Sequence, residues 1–296
     1  MISICIPTYN TDCTGLLKSL NNQIKSLDTI IEIIVIDDGS TLHQVSNKAA
    51  CSSMGFIHIE NKENLGRVAS RKKLAEMSKY PYLLFIDADM IPTSDKFIAN
   101  YYTALNSKDN VDVFVGGIRY ADKRNKFSLR LRYGKTREFR SSSDRNKYPY
   151  SAIFFGNILI DKKLFFSIFK TYNDESYGED YFLASKLKLY QSKVLHIENN
   201  TLHLGIETNN VFLNKTEQAA YTLAKLFRNN KIDLAHNKLL LLYRFLSSYY
   251  LVGLAYYFLY VVVPVIKKSL IWFGGPLLFI DMYRLYYFLK SMKNEA

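Results

Sequence analysis

Four aspartates, Asp37, Asp38, Asp87 and Asp89, each follow a short apolar run: IIEIIVI at residues 30–36 and YLLFI at residues 82–86. Carboxylates are hard oxygen donors of the kind that hold Mg²⁺ or Mn²⁺. An ion held there would bridge a diphosphate and neutralise charge on its departure. Asp87-Ala88-Asp89 is the sharper signal, because two acids two residues apart sit where a buried strand ends. Such a pair arises easily by chance, and its weight comes from that position. Asp37, Asp38 and Ser40 read equally well as turn and cap residues.

A second acidic centre lies in YNDESYGEDYFLASKL, residues 172–187, where Gly178 precedes Glu179 and Asp180. A helical pattern begins at about Tyr181, and a helix N-terminus stabilises a nearby carboxylate as the anion. An acid held there can act as general base towards a hydroxyl; the simpler alternative is a capping pair. Gly156-Asn157, in FFGNILIDKKLF, suggests backbone passing close to a ligand. His203, in NNTLHLG, could add an imidazole to a metal site or be a buried, hydrogen-bonded histidine. In NKENLGRVASRKKLA, Gly66 permits a tight turn into a helix, and Arg67 and Arg71 share one face. They could meet a nucleotide base or phosphate, whereas Lys72 and Lys73 read as solvated.

The elements that must position these residues alternate. Strands are expected at 2–6, 30–36, 56–59 and 82–86, with helices at 14–27 and 65–79. Alternation of this kind implies a doubly wound, mostly parallel α/β sheet, whose ligands sit outside the carboxyl ends of the strands. The expected division is a catalytic domain over 1–215 and a helical region over 216–296. The nucleotide-binding half of the catalytic domain is about 1–115 and the acceptor half about 116–215.

The chain of 296 residues carries a net charge of +12, which favours anionic partners. Residues 119–147 hold 11 of the Lys and Arg residues against 3 Asp and Glu. That concentration suits an anionic acceptor, a phosphate or a lipid headgroup, or a solvated loop. No nucleic-acid recognition motif accompanies it, so nucleic acid is not an expected partner. Cys5, Cys13 and Cys51 give neither a disulfide framework nor a zinc spacing. The N-terminus enters a strand at once with no basic-then-apolar leader, so a cytoplasmic location is expected. Residues 245–266 are uncharged for 22 positions, and Trp272 and an aromatic, basic tail follow. Residues 237–292 are read as helices lying in or on the cytoplasmic leaflet of the inner membrane as a peripheral contact, or as a shallow hairpin. The alternative is a helical layer packed on the catalytic domain or on a second subunit of a homo-oligomer.

The segments ISICIPTYN, IVIDDGS, NLGRVASR, LLFIDADM, FFGNILI and YGEDYFLASKL occur in the order found in family 2 glycosyltransferases. The chain resembles that family over about residues 1–210, in the manner of bacterial members that build cell-surface polysaccharide or glycolipid. The resemblance implies a GT-A fold with a mixed, mostly parallel sheet. It implies metal-assisted, inverting transfer from a nucleotide-diphosphate sugar, UDP-linked in preference, to a hydroxyl of a glycan or lipid-linked acceptor. By that resemblance, Pro7, Thr8 and Tyr9 form the nucleotide-binding first loop, Asp38 contacts the base and Arg67 can reach it. Asp87, with Ala88 beside it, lies near ribose and metal, and Asp89 is the direct ligand of Mg²⁺ or Mn²⁺. Gly156 and Asn157 match the donor-sugar and acceptor loop, Asp180 the catalytic base with Glu179 as neighbour, and His203 a late histidine near metal. The family's usual Ala-Arg-Asn is here Ser70-Arg71-Lys72, which keeps Arg71 and removes the Asn. Two rivals are a catalytically silent membrane-associated scaffold and a nucleotidyltransferase. The latter calls for a Gly-rich, basic loop after the first strand, where this chain has Pro7-Thr8-Tyr9-Asn10.

Overall fold

The computed structural model describes residues 1–27, 30–107, 110–121, 128–170, 172, 177–232 and 237–294. In chain order the elements are β1 (Ile2–Thr8), α1 (Thr14–Ile24), β2 (Ile31–Asp37), α2 (Gln44–Met54), β3 (Ile57–Glu60), α3 (Arg67–Met77), β4 (Tyr82–Ile86), β5 (Met90–Pro92) and α4 (Phe97–Ser107). There follow β6 (Val113–Val115), β7 (Ile118–Tyr120), α5 (Leu129–Tyr133), a π-helical turn (Gly134–Glu138), α6 (Ser142–Lys147), β8 (Asn157–Asp161) and α7 (Lys162–Phe169). The chain closes with α8 (Glu179–Leu189), β9 (Val194–His196), β10 (Thr201–His203), α9 (Asn209–Arg228), α10 (Lys238–Ser248), α11 (Val252–Phe273) and α12 (Leu277–Asn294).

Two compact units result. The first comprises Met1–Ala121, Phe139–Glu175 and Leu187–Gly205, and the second Asp122–Glu138, Ser176–Lys186 and Ile206–Ala296. The division is interleaved, where the sequence suggests one boundary near 215.

The first unit is built on a seven-stranded sheet of order β3-β2-β1-β4-β8-β6-β9. β1 pairs in parallel with β2 and β4, Ile2 opposite Ile31 and Tyr82. Their apolar runs are continuous because central strands are covered on both faces, and Ile4, Ile6, Ile34, Ile36, Leu84 and Phe85 are fully buried. The four expected strands are present within two residues at each end. β8 is antiparallel to β4 and β6, so the NILID run is a core strand as well as the continuation of the Gly156 loop. Helix α2 has no apolar repeat to reveal it. It is tied down by Asn47, whose side chain accepts from Cys13 N at 3.1 Å and donates to Thr11 O at 2.9 Å. A second, small sheet runs β5-β10-β7. It sets His203 opposite Met90 on one side and Tyr120 on the other, bringing β10 to the Asp-x-Asp turn.

The second unit is helical. α9 packs on α12, and α12 on α11. Leu259, Val263, Ile266 and Leu270 form the buried stripe of α11. The uncharged run 245–266 is not one helix: α10 ends at Ser248, Tyr250 takes a left-handed φ of 57°, and α11 starts at Val252. α11 then continues through Pro264, Lys267 and Lys268 to Phe273. Among the described residues it is the one helix long and apolar enough to cross a membrane, by length and composition only.

Candidate functional site

Three loops at the carboxyl ends of β1, β2 and β4 carry Pro7, Thr8, Tyr9, Asp38, Asp87, Ala88 and Asp89. The first two are stitched together. Asn10, at φ 49°, accepts from Thr41 N (2.8 Å) and Leu42 N (3.0 Å) through its side chain, and its own N–H donates to Ser40 Oγ at 2.8 Å. Asn and Asp tolerate that backbone conformation better than other residues with side chains. Thr8 is buried and donates to Thr11 O, whereas Tyr9 is exposed; Pro7 is half-buried at the end of β1. Asp38 accepts from Asn61 Nδ2 (2.7 Å), Leu65 N (3.0 Å) and Gly66 N (2.9 Å). With these three bonds Asp38 fixes the loop entering α3. Gly39 allows this approach: its φ is +74°, and a Cβ there would meet the backbone of Glu63 at 2.6 Å. Gly66, at φ 86°, starts α3.

Arg67 is exposed on the first turn of α3. Arg71 is not on a nucleotide-facing surface as the shared helical face suggests. It is 97% buried, its Nη2 is 2.8 Å from Asp87 Oδ1, and its guanidinium lies 4.4 Å from the centre of the Phe155 ring. Arg71 therefore orients Asp87 and offsets its charge. Lys72 and Lys73 are also engaged: Lys72 donates to Tyr172 O, and Lys73 to Asn61 Oδ1 at 2.7 Å.

Asp89 Oδ2 lies 3.4 Å from His203 Nε2, and His203 Nδ1 is buried with no hydrogen-bond partner. Two ligands each about 2.1 Å from one octahedral ion, at right angles, stand about 3.0 Å apart. The pair thus fits an ion after a small closing movement, through Asp89 Oδ2 and His203 Nε2. No group of three acidic, His or Cys side chains is placed for a metal among the described residues. Of the expected set Asp87, Asp89 and His203, the structure brings Asp89 and His203 together, while Asp87 Oδ1 is engaged by Arg71. Mg²⁺ suits such a site, since it binds through one or two protein ligands plus substrate phosphates and water. Ala88 is buried between the two acids.

A Cβ on Gly156 would sit 3.2 Å from Asp87 Oδ2, so the glycine does bring backbone close to the acid. Asn157 is different. Its side chain is fully buried, accepts from Tyr101 Oη (2.5 Å) and donates to Asn199 O (2.7 Å) and Gly117 O (3.0 Å). That amide holds the 116–117 loop and has no face for a donor sugar. Burial pushes the Tyr101 phenol up, so it stays a neutral donor. Tyr101 was hidden in the sequence because α4 reads as ordinary core.

In the second unit, Gly178 at φ +117° turns the chain into α8. Glu179 is buried and accepts from Gly178 N at 3.1 Å, whereas Asp180 is half-buried in the first helical turn. Asp180 is thus the more accessible acid at an N-terminus that favours anions.

Among the described residues of the basic segment, four arginines are spent on structure. Arg130 pairs with Glu138 at 3.0 Å, Arg137 with Asp281 at 3.1 Å, and Arg132 donates to Gly274 O at 3.1 Å. Arg145 donates to the carbonyls of Val115, Gly116 and Ile197 and to His196 Nδ1 at 3.0 Å. Arginine only donates, so His196 Nδ1 accepts and its Nε2–H donates to Pro149 O at 2.7 Å. Burial, and then Arg145, hold the His196 pKa down at about 4, against the pull of the Pro149 carbonyl. Residues 122–127 lie outside the described residues.

The sequence profile of Glycosyl transferase family 2 matches residues 3–201. The chain belongs to this family. Relatives include the glycosyltransferase GlyG of Streptococcus pneumoniae serotype 4, 29% identical over 121 residues, which are 39% of this chain and 38% of GlyG. An uncharacterized glycosyltransferase of Haemophilus influenzae is 36% identical over 91 residues, 30% of this chain and 29% of that protein. The matched segments therefore span well under half of either relative. Among solved structures, the Pyrobaculum calidifontis mannosyltransferase PcManGT, in complex with GDP-Man and Mn²⁺, aligns at a TM-score of 0.60 and 14% identity, over 98% of this chain and 85% of that one. Staphylococcus aureus TarS 1–349 aligns at 0.56 and 15%, over 99% and 90%. Glucosyl-3-phosphoglycerate synthase of Mycobacterium tuberculosis, with Mg²⁺ and UDP, aligns at 0.53 and 15%, over 76% and 78%. These likenesses show the fold: the family 2 chain has the GT-A architecture.

Proposed function

We propose that this family 2 chain transfers a sugar, with inversion, from a nucleotide-diphosphate sugar to a hydroxyl of a glycan or lipid-linked acceptor. UDP is the favoured nucleotide and cell-surface polysaccharide or glycolipid the favoured product. The Asp89–His203 pair, 3.4 Å apart at the end of a central strand, carries this reading. Support comes from solved structures of like fold that hold UDP with Mg²⁺ and GDP-Man with Mn²⁺.

Asp89 and His203 would hold Mg²⁺ or Mn²⁺, which supplies charge neutralisation on the departing diphosphate. The chain's own residues do the rest. The Pro7–Tyr9 loop and Asp38 frame the nucleoside, with Arg67 exposed beside them. Asp87, locked by Arg71, accepts from the ribose. Gly156 lets backbone approach the donor. Asp180 takes the acceptor hydroxyl's proton, and Glu179 shapes the turn that presents it. Inversion requires that base on the face opposite the leaving diphosphate.

The helical region meets the cytoplasmic leaflet peripherally. Leu254, Tyr257, Phe258, Val261, Val265 and Trp272 are all more than half exposed, an apolar stripe along α11 of a kind that marks an interaction surface. A thermal-shift screen of UDP-, GDP- and dTDP-sugars with Mn²⁺ tests the donor assignment. At least one donor should raise the melting temperature, and EDTA should abolish the rise. No shift with any nucleotide sugar would reject the reading.

A further inference from the structure

Gly205 ends the run Thr201-Leu202-His203-Leu204-Gly205, two residues beyond His203. Its φ is not in the left-handed region, so no backbone reason calls for glycine. Space does. A Cβ at Gly205 would lie 2.2 Å from Asp89 Oδ2, 3.0 Å from its Cγ and 3.1 Å from its Cβ. The three nearest atoms all belong to the one carboxylate proposed to bind metal. The backbone fixes this closeness, because Leu204 N donates to Asp89 O at 2.9 Å. Gly39 makes a contrast: there both a positive φ and backbone atoms oppose any side chain.

We infer that Gly205 is a positioning residue for the metal site: its missing side chain is the space in which Asp89 turns its carboxylate towards His203. This rests on the metal reading of Asp89 and His203. An alanine meets the free end of a side chain, so the fold can yield by rotating Asp89, but rotation takes Oδ2 from the ion. Groups that orient a metal ligand are worth about 10–100-fold in metal affinity, and Gly205 orients Asp89 by leaving it room.

The test is calorimetric titration of Mn²⁺ into the full chain with saturating UDP, with UDP titrated separately in EDTA. Gly205→Ala should weaken Mn²⁺ binding about 10–100-fold and leave metal-free UDP affinity unchanged. Asp89→Ala should weaken Mn²⁺ at least as much, and adding Gly205→Ala to it should cost little further, because the two closest atoms, Oδ2 and Cγ, have gone and only the 3.1 Å approach of Cβ remains. Should Gly205→Ala alone fold poorly, the double variant must melt like Asp89→Ala. Unchanged Mn²⁺ affinity in Gly205→Ala, or a double variant worse than Asp89→Ala, would overturn the inference while leaving the metal site standing. Absence of Mn²⁺ binding by the wild-type chain would overturn both.

Discussion

Asp87 and Asp89 stand two residues apart yet face different partners, Arg71 for one and His203 for the other. Each acid is expected to fail in its own way. Arg71→Lys keeps the positive charge but loses the guanidinium fork and its stacking on Phe155. Nucleotide affinity should fall about tenfold, a drop of about 1.4 kcal/mol, with Mn²⁺ affinity largely kept. A parallel loss of both would place Asp87 in the metal site after all. Asp180→Asn removes a base without altering shape. Turnover should drop about 10²–10⁴-fold with KM for the donor little changed, and wild-type turnover would remove Asp180 from the chemistry. The strand-end acids and the Gly178 turn could be read from sequence because their types and neighbours are local. Arg71's partner could not, since its burial depends on Phe155, 84 positions away along the chain.

At the scale of elements, β6, β9 and α6 are joined by Arg145 and a neutral His196. The His196 pKa is lower in the folded chain (about 4) than in the unfolded chain (about 6.5). The unfolded state therefore binds the extra proton between these values. The resulting stability is present above about pH 6.5 and lost as pH falls towards 4, an effect on the order of 3 kcal/mol. Denaturant melts at pH 7.5 and 5.0 should show a smaller pH dependence for His196→Gln than for the wild type; an equal dependence would point to other groups. The first four strands were legible because parallel, doubly covered strands are continuous apolar runs. α2 was not, because it buries Asn47 and Cys51 in place of a hydrophobic stripe. In the sequence the start of β8 resembles a ligand loop, because of Gly156-Asn157, and only its pairing with β4 and β6 reveals a strand.

Across the whole molecule, net charge and apolar content pointed outward more strongly than the structure does. Among the described residues of 119–147, Arg130, Arg132, Arg137 and Arg145 are satisfied internally, and the 245–266 run breaks at Tyr250. The apolar outer face of α11 persists, with Lys268 exposed beside it. Full-length protein should pellet with anionic vesicles, and Phe258→Glu combined with Val265→Glu should release most of it; a wild-type chain that stays in the supernatant would exclude a lipid partner. The proposed chemistry, however, turns on one centre. Isothermal titration of UDP into the wild-type chain, with Mn²⁺ and then with EDTA, tests it most directly. Saturable binding that needs Mn²⁺ and weakens in Asp89→Ala is the predicted result; binding indifferent to both, or no binding of UDP at all, would contradict it.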